Sequence, residues 1–454
     1  MKTLPAWVVA LAACVTASGL AAEPFPSSYK PLPAQTTLLK NATVLTGDGE
    51  RVDGASVLMK DGTIVWVGDG DVPADTVVVD ASGRWITPGL IDVHSHLGVY
   101  PSPSVKAHSD GNEATSPVTA DNWAEHSVWP QDPGFSRALA GGVTALQVLP
   151  GSANLFGGRG VTLKNVYSNS YQGMKFPDAP HGLKMACGEN PKRVYGGRTQ
   201  APSTRMGNVA RYRAEWAAAQ HYMHKWDVYE KKVADGDTKA DKPIRDLKLE
   251  TLAGVLRGEI IVHMHCYRAD EMLTILDMAR EFNYRVGTFH HGVETYKIAD
   301  ELAENGVCGA LWADWWGFKM EAYDGIQENI ALVDRPENGC AIVHSDSAEG
   351  IQRLNQEAAK AMTRGQRIGL DIPPERAIRW ITLNAARSLG IEDQTGTLTP
   401  GKMADVVLWS GNPFSVYAKA DQVYIDGALA YDRAHPALQP VSDFELGQLQ
   451  EARR

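Results

Sequence analysis

The chain has 454 residues, of which 44% are apolar and 22% charged, and a formal net charge of −10. These are globular proportions on a chain too long for one small core, so one barrel-sized domain with a satellite is expected. The acidic balance, and the lack of any basic run, argue against nucleic acid as a partner.

Residues 1–22, MKTLPAWVVALAACVTASGLAA, combine one lysine, an apolar stretch and small residues. That is the pattern of an export signal, and the stretch is short for a transmembrane helix. Cleavage after the small residues near Ala22 is one outcome. The other is lipidation of Cys14, since LAAC at 11–14 resembles a bacterial lipobox. Either way the mature protein is expected outside the cytoplasm, periplasmic or secreted, with a lipid anchor to the outer membrane as the second form. The remaining cysteines, Cys187, Cys266, Cys308 and Cys340, form no CxxC pair, which counts against a cysteine zinc site. Export permits a disulfide among them, and buried free thiols are the plainer reading.

From residue 34 to 88, short β-like runs alternate with turn signals such as KDGT and GDG. The same texture returns at 391–434, in GTLTPGKMADVVLW and QVYIDGALAYD, before a tail at 435–454. The two pieces are expected to complete one small β-sandwich from both chain ends. Between them, residues 89–390 alternate strand-like and helix-like segments, as in GEIIVHMHC before RADEMLTILDMAREFN. Repeated β–α units of this length predict an α/β fold, a (β/α)8 TIM-type barrel. Residues 192–250 are polar and helix-prone, and are expected to be a surface insertion overhanging the barrel mouth. His221 and His224 within it have helical spacing and read as helix-face residues.

Histidines recur at the ends of the barrel strands. His94 and His96 close GLIDVHSHLG, where alternation sets Asp92, His94 and His96 on one face. His263 and His265 end IIVHMHC, His290 and His291 end GTFHHG, and His344 and Asp346 end AIVHSDS. In a parallel barrel, catalytic groups gather at the C-terminal strand ends. Imidazoles with a carboxylate suit a divalent ion, zinc first.

The order HxH, Lys, His, His, Asp, together with TPGLIDVHSHL, LAGGVTALQVLPGS and GTLTPGKMADVVLW, resembles the amidohydrolase superfamily of metal-dependent hydrolases over nearly the whole mature chain. More narrowly it is similar to the branch of imidazolonepropionase and the Xaa-Pro dipeptidases. The resemblance implies one or two divalent ions. His94 and His96 would hold the first, and Asp346 would contact it and take a proton from the attacking water. His265 matches the fifth-strand ligand, with His263 as its competitor. His291, directly before glycine, matches the sixth-strand ligand, which leaves His290 as a barrel-wall residue. A carbamylated lysine would bridge two metals, and Lys184 takes that role ahead of Lys164.

Tyr267 and Arg268 follow the fifth strand and are candidates for gripping substrate, as are Arg159, Asn154 and His344. WADWWGFKME at 312–321 reads as an aromatic wall or as core packing. The function implied is an exported amidohydrolase that uses a metal-activated water on a C–N bond of a cyclic amide, a dipeptide or an N-acyl amino acid. The substrate is a small molecule or short peptide, and oligomerisation is left open. Two alternatives stand. One is a heterocycle deaminase, against which count Arg268 and Cys266, standing where deaminases carry the glutamate of HxxE. The other is a non-catalytic, metal-containing binding protein.

Overall fold

The structure is a computed structural model and describes residues 24–102 and 104–436. The export segment with Cys14, and the tail beyond residue 436, lie outside the described residues. Among the described residues, no helix is long and apolar enough to cross a membrane.

The first strands are β1 (Thr37–Leu45), β2 (Arg51–Lys60), β3 (Thr63–Gly68), β4 (Val77–Asp80) and β5 (Trp85–Pro88). Asp61 and Gly62, at φ 50° and 81°, make the two-residue turn that joins β2 to β3, as the DG signal requires. The barrel strands follow: β6 (Leu90–Ser95), β7 (Val143–Val148), β8 (Phe156–Lys164), β9 (Gly182–Ala186), β10 (Ile261–His265), β11 (Val286–His290), β12 (Cys308–Leu311) and β13 (Ala341–Val343). Three strands close the order: β14 (Val406–Trp409), β15 (Ala420–Ile425) and β16 (Ala428–Asp432).

Both chain ends build one eight-stranded sheet, in the order β16-β15-β14-β5-β1-β2-β3, with β4 also on β1. The ends meet where β14 pairs antiparallel with β5, Val406 opposite Pro88. Leu39, Val57, Ile86 and Val406 share its core. At the start of β6, a side chain on Gly89 would collide with Thr144, so glycine permits the close approach of β6 to β7.

The second sheet is the barrel, running from β6 to β13 in sequence order. It departs from regular β–α alternation at one place. β8 runs antiparallel to both β7 and β9. Only residues 149–155 separate β7 from β8, too few for the crossover that a parallel neighbour needs. The barrel seam lies between β13 and β6. There Asp92 Oδ1 accepts from the Ser345 N–H at 3.2 Å, and the Asp346 N–H donates to the His94 carbonyl at 3.0 Å.

The insertion forms a 30-residue helix, Arg205–Ala234. Its first half buries Asn208, Tyr212, Trp216 and Ala219, and Trp216 stacks on Tyr284 at 4.4 Å. The Tyr212 hydroxyl donates to the Ala186 carbonyl at the end of β9. This half is therefore part of the barrel's outer wall, where an overhang of the mouth was expected. His221 and His224 are exposed on it. The four cysteines are not free thiols: Cys187 pairs with Cys266, beside the ends of β9 and β10, and Cys308 pairs with Cys340.

Candidate metal centre

β6 is buried along its whole length, and its alternation sends Asp92, His94 and His96 to one side. Asp92 is fully enclosed and accepts from the backbone N–H groups of His94 and Ser345 and from the Ser345 hydroxyl. Burial raises its carboxyl to about 6. Its role is to lock the barrel seam, and that seam sets Asp346 over the two histidines.

Around the Asp346 carboxylate stand three imidazole Nε2 atoms. His96 lies at 3.2 Å, His94 at 3.6 Å and His291 at 3.7 Å. Ligand atoms of His94, His96 and Asp346 all fall within 4.8 Å of one another, a group able to hold a metal ion. His96 donates from Nδ1 to the Leu149 carbonyl at 2.8 Å, which holds the ring with Nε2 toward Asp346. His94 Nε2 is buried without a hydrogen-bond partner. A buried nitrogen with no partner is costly, and it is relieved by a ligand that accepts its lone pair. Burial holds His94, His265, His290 and His291 well below the ordinary imidazole range, and brings His263 to about 3 and His344 to about 4. All six are neutral at pH 7, the form that ligates metals.

The solved amidohydrolase of Thermotoga maritima MSB8 is similar to this chain at 38% identity and TM-score 0.79, covering 87% of this chain and all of that one. The chain belongs to the amidohydrolase family. The Amidohydrolase family profile itself matches residues 321–432. The amidohydrolase tasK of Hapsidospora irregularis is 31% identical over 87% of this chain, which spans 43% of that relative's length. An imidazolonepropionase of Shewanella oneidensis is 23% identical, over 78% of this chain and 86% of its own. The protein thus belongs to the amidohydrolase superfamily of hydrolases and deaminases and has the barrel of that superfamily.

In this amidohydrolase the two lysines separate cleanly. Lys184 lies on β9 in register with His263, fully buried, and donates to the Pro150 carbonyl at 2.9 Å. Burial lowers its ammonium to about 8, against the pull of Asp346. Lys164 ends β8, and because β8 runs backwards it emerges at the other end of the barrel. There it pairs with Asp426 at 2.7 Å and Asp405 at 3.3 Å, which excludes it as the bridging lysine.

His265 ends β10, its ring centroid 5.0 Å from that of His291, and its Nδ1 has no partner. His263 lies deeper, bonded to His290. His290 is not a barrel-wall residue. It faces the interior, with Nδ1 2.9 Å from His94 Nδ1. Strict alternation would have sent His290 and His291 to opposite sides. The strand stops at His290, however, and His291 turns back inward at φ 61°. Asp346 also sits at positive φ, 47°. Such backbone is uncommon outside glycine and clusters at functional sites. His344 reaches His291 Nδ1 at 3.1 Å.

The substrate-side candidates divide. Tyr267 is buried beside His265, Trp312 and Phe318, and burial pushes its hydroxyl far above the ordinary phenol range. Trp312 stacks on His291 at 4.3 Å, so the WADWWGFKME segment does wall the site. Arg268 instead turns outward to Asp270 at 2.9 Å. Arg159 bonds Thr251 at 2.9 Å and stacks on Trp123. Asn154 ties down the backbone at Glu113 and Ser116. Lys319 escaped the sequence reading. It lies 4.3 Å above the Tyr267 ring and bonds Asn190, whose amide meets His265. Nothing but position in the WADWWGFKME run marked it.

Proposed function

We propose that the chain is an exported, metal-dependent hydrolase that cleaves the C–N bond of a cyclic amide, a dipeptide or an N-acyl amino acid. The observation that carries the reading is the convergence of three imidazole Nε2 atoms on Asp346. His94, His96 and Asp346 would hold one divalent ion, with Lys184, as its carbamate, His265 and His291 completing a second position. Mixed imidazole and carboxylate donors favour zinc. A bound ion of this kind supplies an acidic water and a Lewis acid for the scissile carbonyl.

The chain's own groups divide the remaining work. Asp346 accepts the proton of the attacking water at its carboxylate and returns it to the leaving nitrogen. Tyr267 keeps its proton at any working pH and is placed to donate a hydrogen bond to the developing oxyanion. His344 holds the His291 ring, and Trp312 with Phe318 screens the site from bulk water. Two disulfides in one chain, with the export-like residues 1–22, support a location in an oxidising compartment.

The test is turnover of a panel of cyclic amides, dipeptides, N-acetyl amino acids and aminated heterocycles by wild type and Asp346→Asn. The reading predicts hydrolysis of an amide and a loss of about 100- to 10,000-fold in the folded variant. Turnover of aminated heterocycles alone would establish deamination instead. Undiminished turnover in Asp346→Asn would refute the assigned role.

A further inference from the structure

We propose that Gln147, His263 and His290 form a buried relay that fixes His94 in the tautomer able to ligate a metal. The inference rests on His94 being a ligand, as proposed above. Gln147 on β7 lies 3.2 Å from His263 Nε2. His263 Nδ1 lies 2.9 Å from His290 Nε2, and His290 Nδ1 lies 2.9 Å from His94 Nδ1. All four side chains are at most 1% exposed, so no water competes along the chain.

Each 2.9 Å nitrogen–nitrogen contact needs an N–H on one ring and a lone pair on the other, so with one N–H per ring a single choice orders the whole row. In one order the Gln147 amide nitrogen donates to His263, His263 donates to His290, and His290 donates to His94 Nδ1. The His94 proton is then on Nε2, and that atom cannot bind a metal. In the other order His94 Nδ1–H donates to His290, His290 Nε2–H donates to His263, and His263 Nε2–H donates to the Gln147 amide oxygen. The lone pair of His94 Nε2 is then free and faces Asp346. The two ends of the glutamine amide are nearly the same size, so its site takes either orientation. Its oxygen is the buried atom left without a donor when the nitrogen faces His263.

Metal at His94 therefore selects the second order through to Gln147, three side chains away. Conversely, the relay holds the His94 ring in place and prepares its lone pair. Gln147, His263 and His290 are positioning residues, since they act only through His94. Ligand holders of this kind commonly contribute 10- to 100-fold in metal affinity.

Zinc affinity of the whole chain, measured by competition with a chromophoric chelator, tests the relay in wild type, His94→Ala, His290→Phe and His290→Gln. We expect His290→Phe to weaken zinc binding by about 10- to 100-fold. His290→Gln, which can both accept and donate, should restore most of the loss. Near wild-type affinity in a folded His290→Phe overturns the relay while a loss in His94→Ala leaves the metal site standing. Unchanged affinity in His94→Ala overturns both. Histidine ¹⁵N NMR of the zinc-loaded wild type reads the order without any variant. The relay predicts N–H at Nδ1 of His94 and at Nε2 of His290 and His263, and N–H at Nδ1 of His290 and His263 overturns it.

Discussion

Replacing Lys164 or Lys184 by methionine keeps the stem of each side chain and removes its ammonium. Both lysines are fully buried, yet the structure assigns the two substitutions opposite signs. The Lys184 ammonium falls from 10.5 to about 8 because it is enclosed. At about 1.4 kcal/mol for each tenfold change, keeping it charged costs the folded state up to about 3 kcal/mol at pH 7. Losing the bond to Pro150 returns about 1 kcal/mol of that, so Lys184→Met should stabilise the metal-free protein by about 2 kcal/mol. A lysine held below its unfolded value destabilises fully below about pH 8, and the penalty disappears as pH rises towards 10.5. The gain should follow that window.

Lys164 neutralises Asp405 and Asp426, which are themselves buried. Removing one partner of a buried pair typically costs about 3–5 kcal/mol. The Tyr29 and Thr395 hydroxyls still donate to the two carboxylates, which sets the expectation near about 3 kcal/mol of destabilisation. Urea unfolding of chelator-treated protein in bicarbonate-free buffer measures both. Equal destabilisation by the two variants, or a neutral Lys164→Met, would refute the reasoning.

The Cys187–Cys266 disulfide spans 79 positions, so Cys187→Ser with Cys266→Ser should cost about 4.5 kcal/mol on the chain-entropy scale. Thermal unfolding with and without reductant checks this, and no shift would contradict it. Glu271 lines a cavity of about 500 Å³ between helices Arg205–Ala234 and Ala269–Phe282. Burial, then Glu321, raises its carboxyl to about 7, with Arg205 opposing and Asp270 reinforcing the shift. A raised carboxyl favours the folded state below the unfolded value and loses that advantage as pH rises through about 7. Glu271→Gln should therefore be more stable than wild type at pH 8 and equal to it near pH 4.5. An equal effect at both pH values would exclude titration of Glu271 as the cause.

Much of this site could be read before the fold was known, because strand ends in a barrel converge whatever the loops do. His94, His96 and Asp346 fall together since β6 carries the two histidines to its C-terminal end and the Asp92 seam joins it to β13. The alternation rule failed at His290 because it holds only within a strand, and the chain leaves the strand at His291. Strand order put Lys184 ahead of Lys164, but periodicity says nothing of strand direction, and it is the reversal of β8 that carries Lys164 to the other end of the barrel. Arg159 and Arg268 were placed at the pocket by sequence proximity alone. Thr251, the partner of Arg159, lies in a helix 92 positions away, and Asp270, two positions beyond Arg268, draws that guanidinium outward. The disulfide pairing likewise depends on which strands become neighbours.

The claim on which the rest depends is that the strand-end histidines and Asp346 bind metal. Elemental mass spectrometry of the folded protein, prepared with zinc and bicarbonate, tests it most directly. The account predicts about two zinc ions per chain, with loss of zinc from a folded His96→Ala. A folded wild-type chain that retains no metal would contradict it.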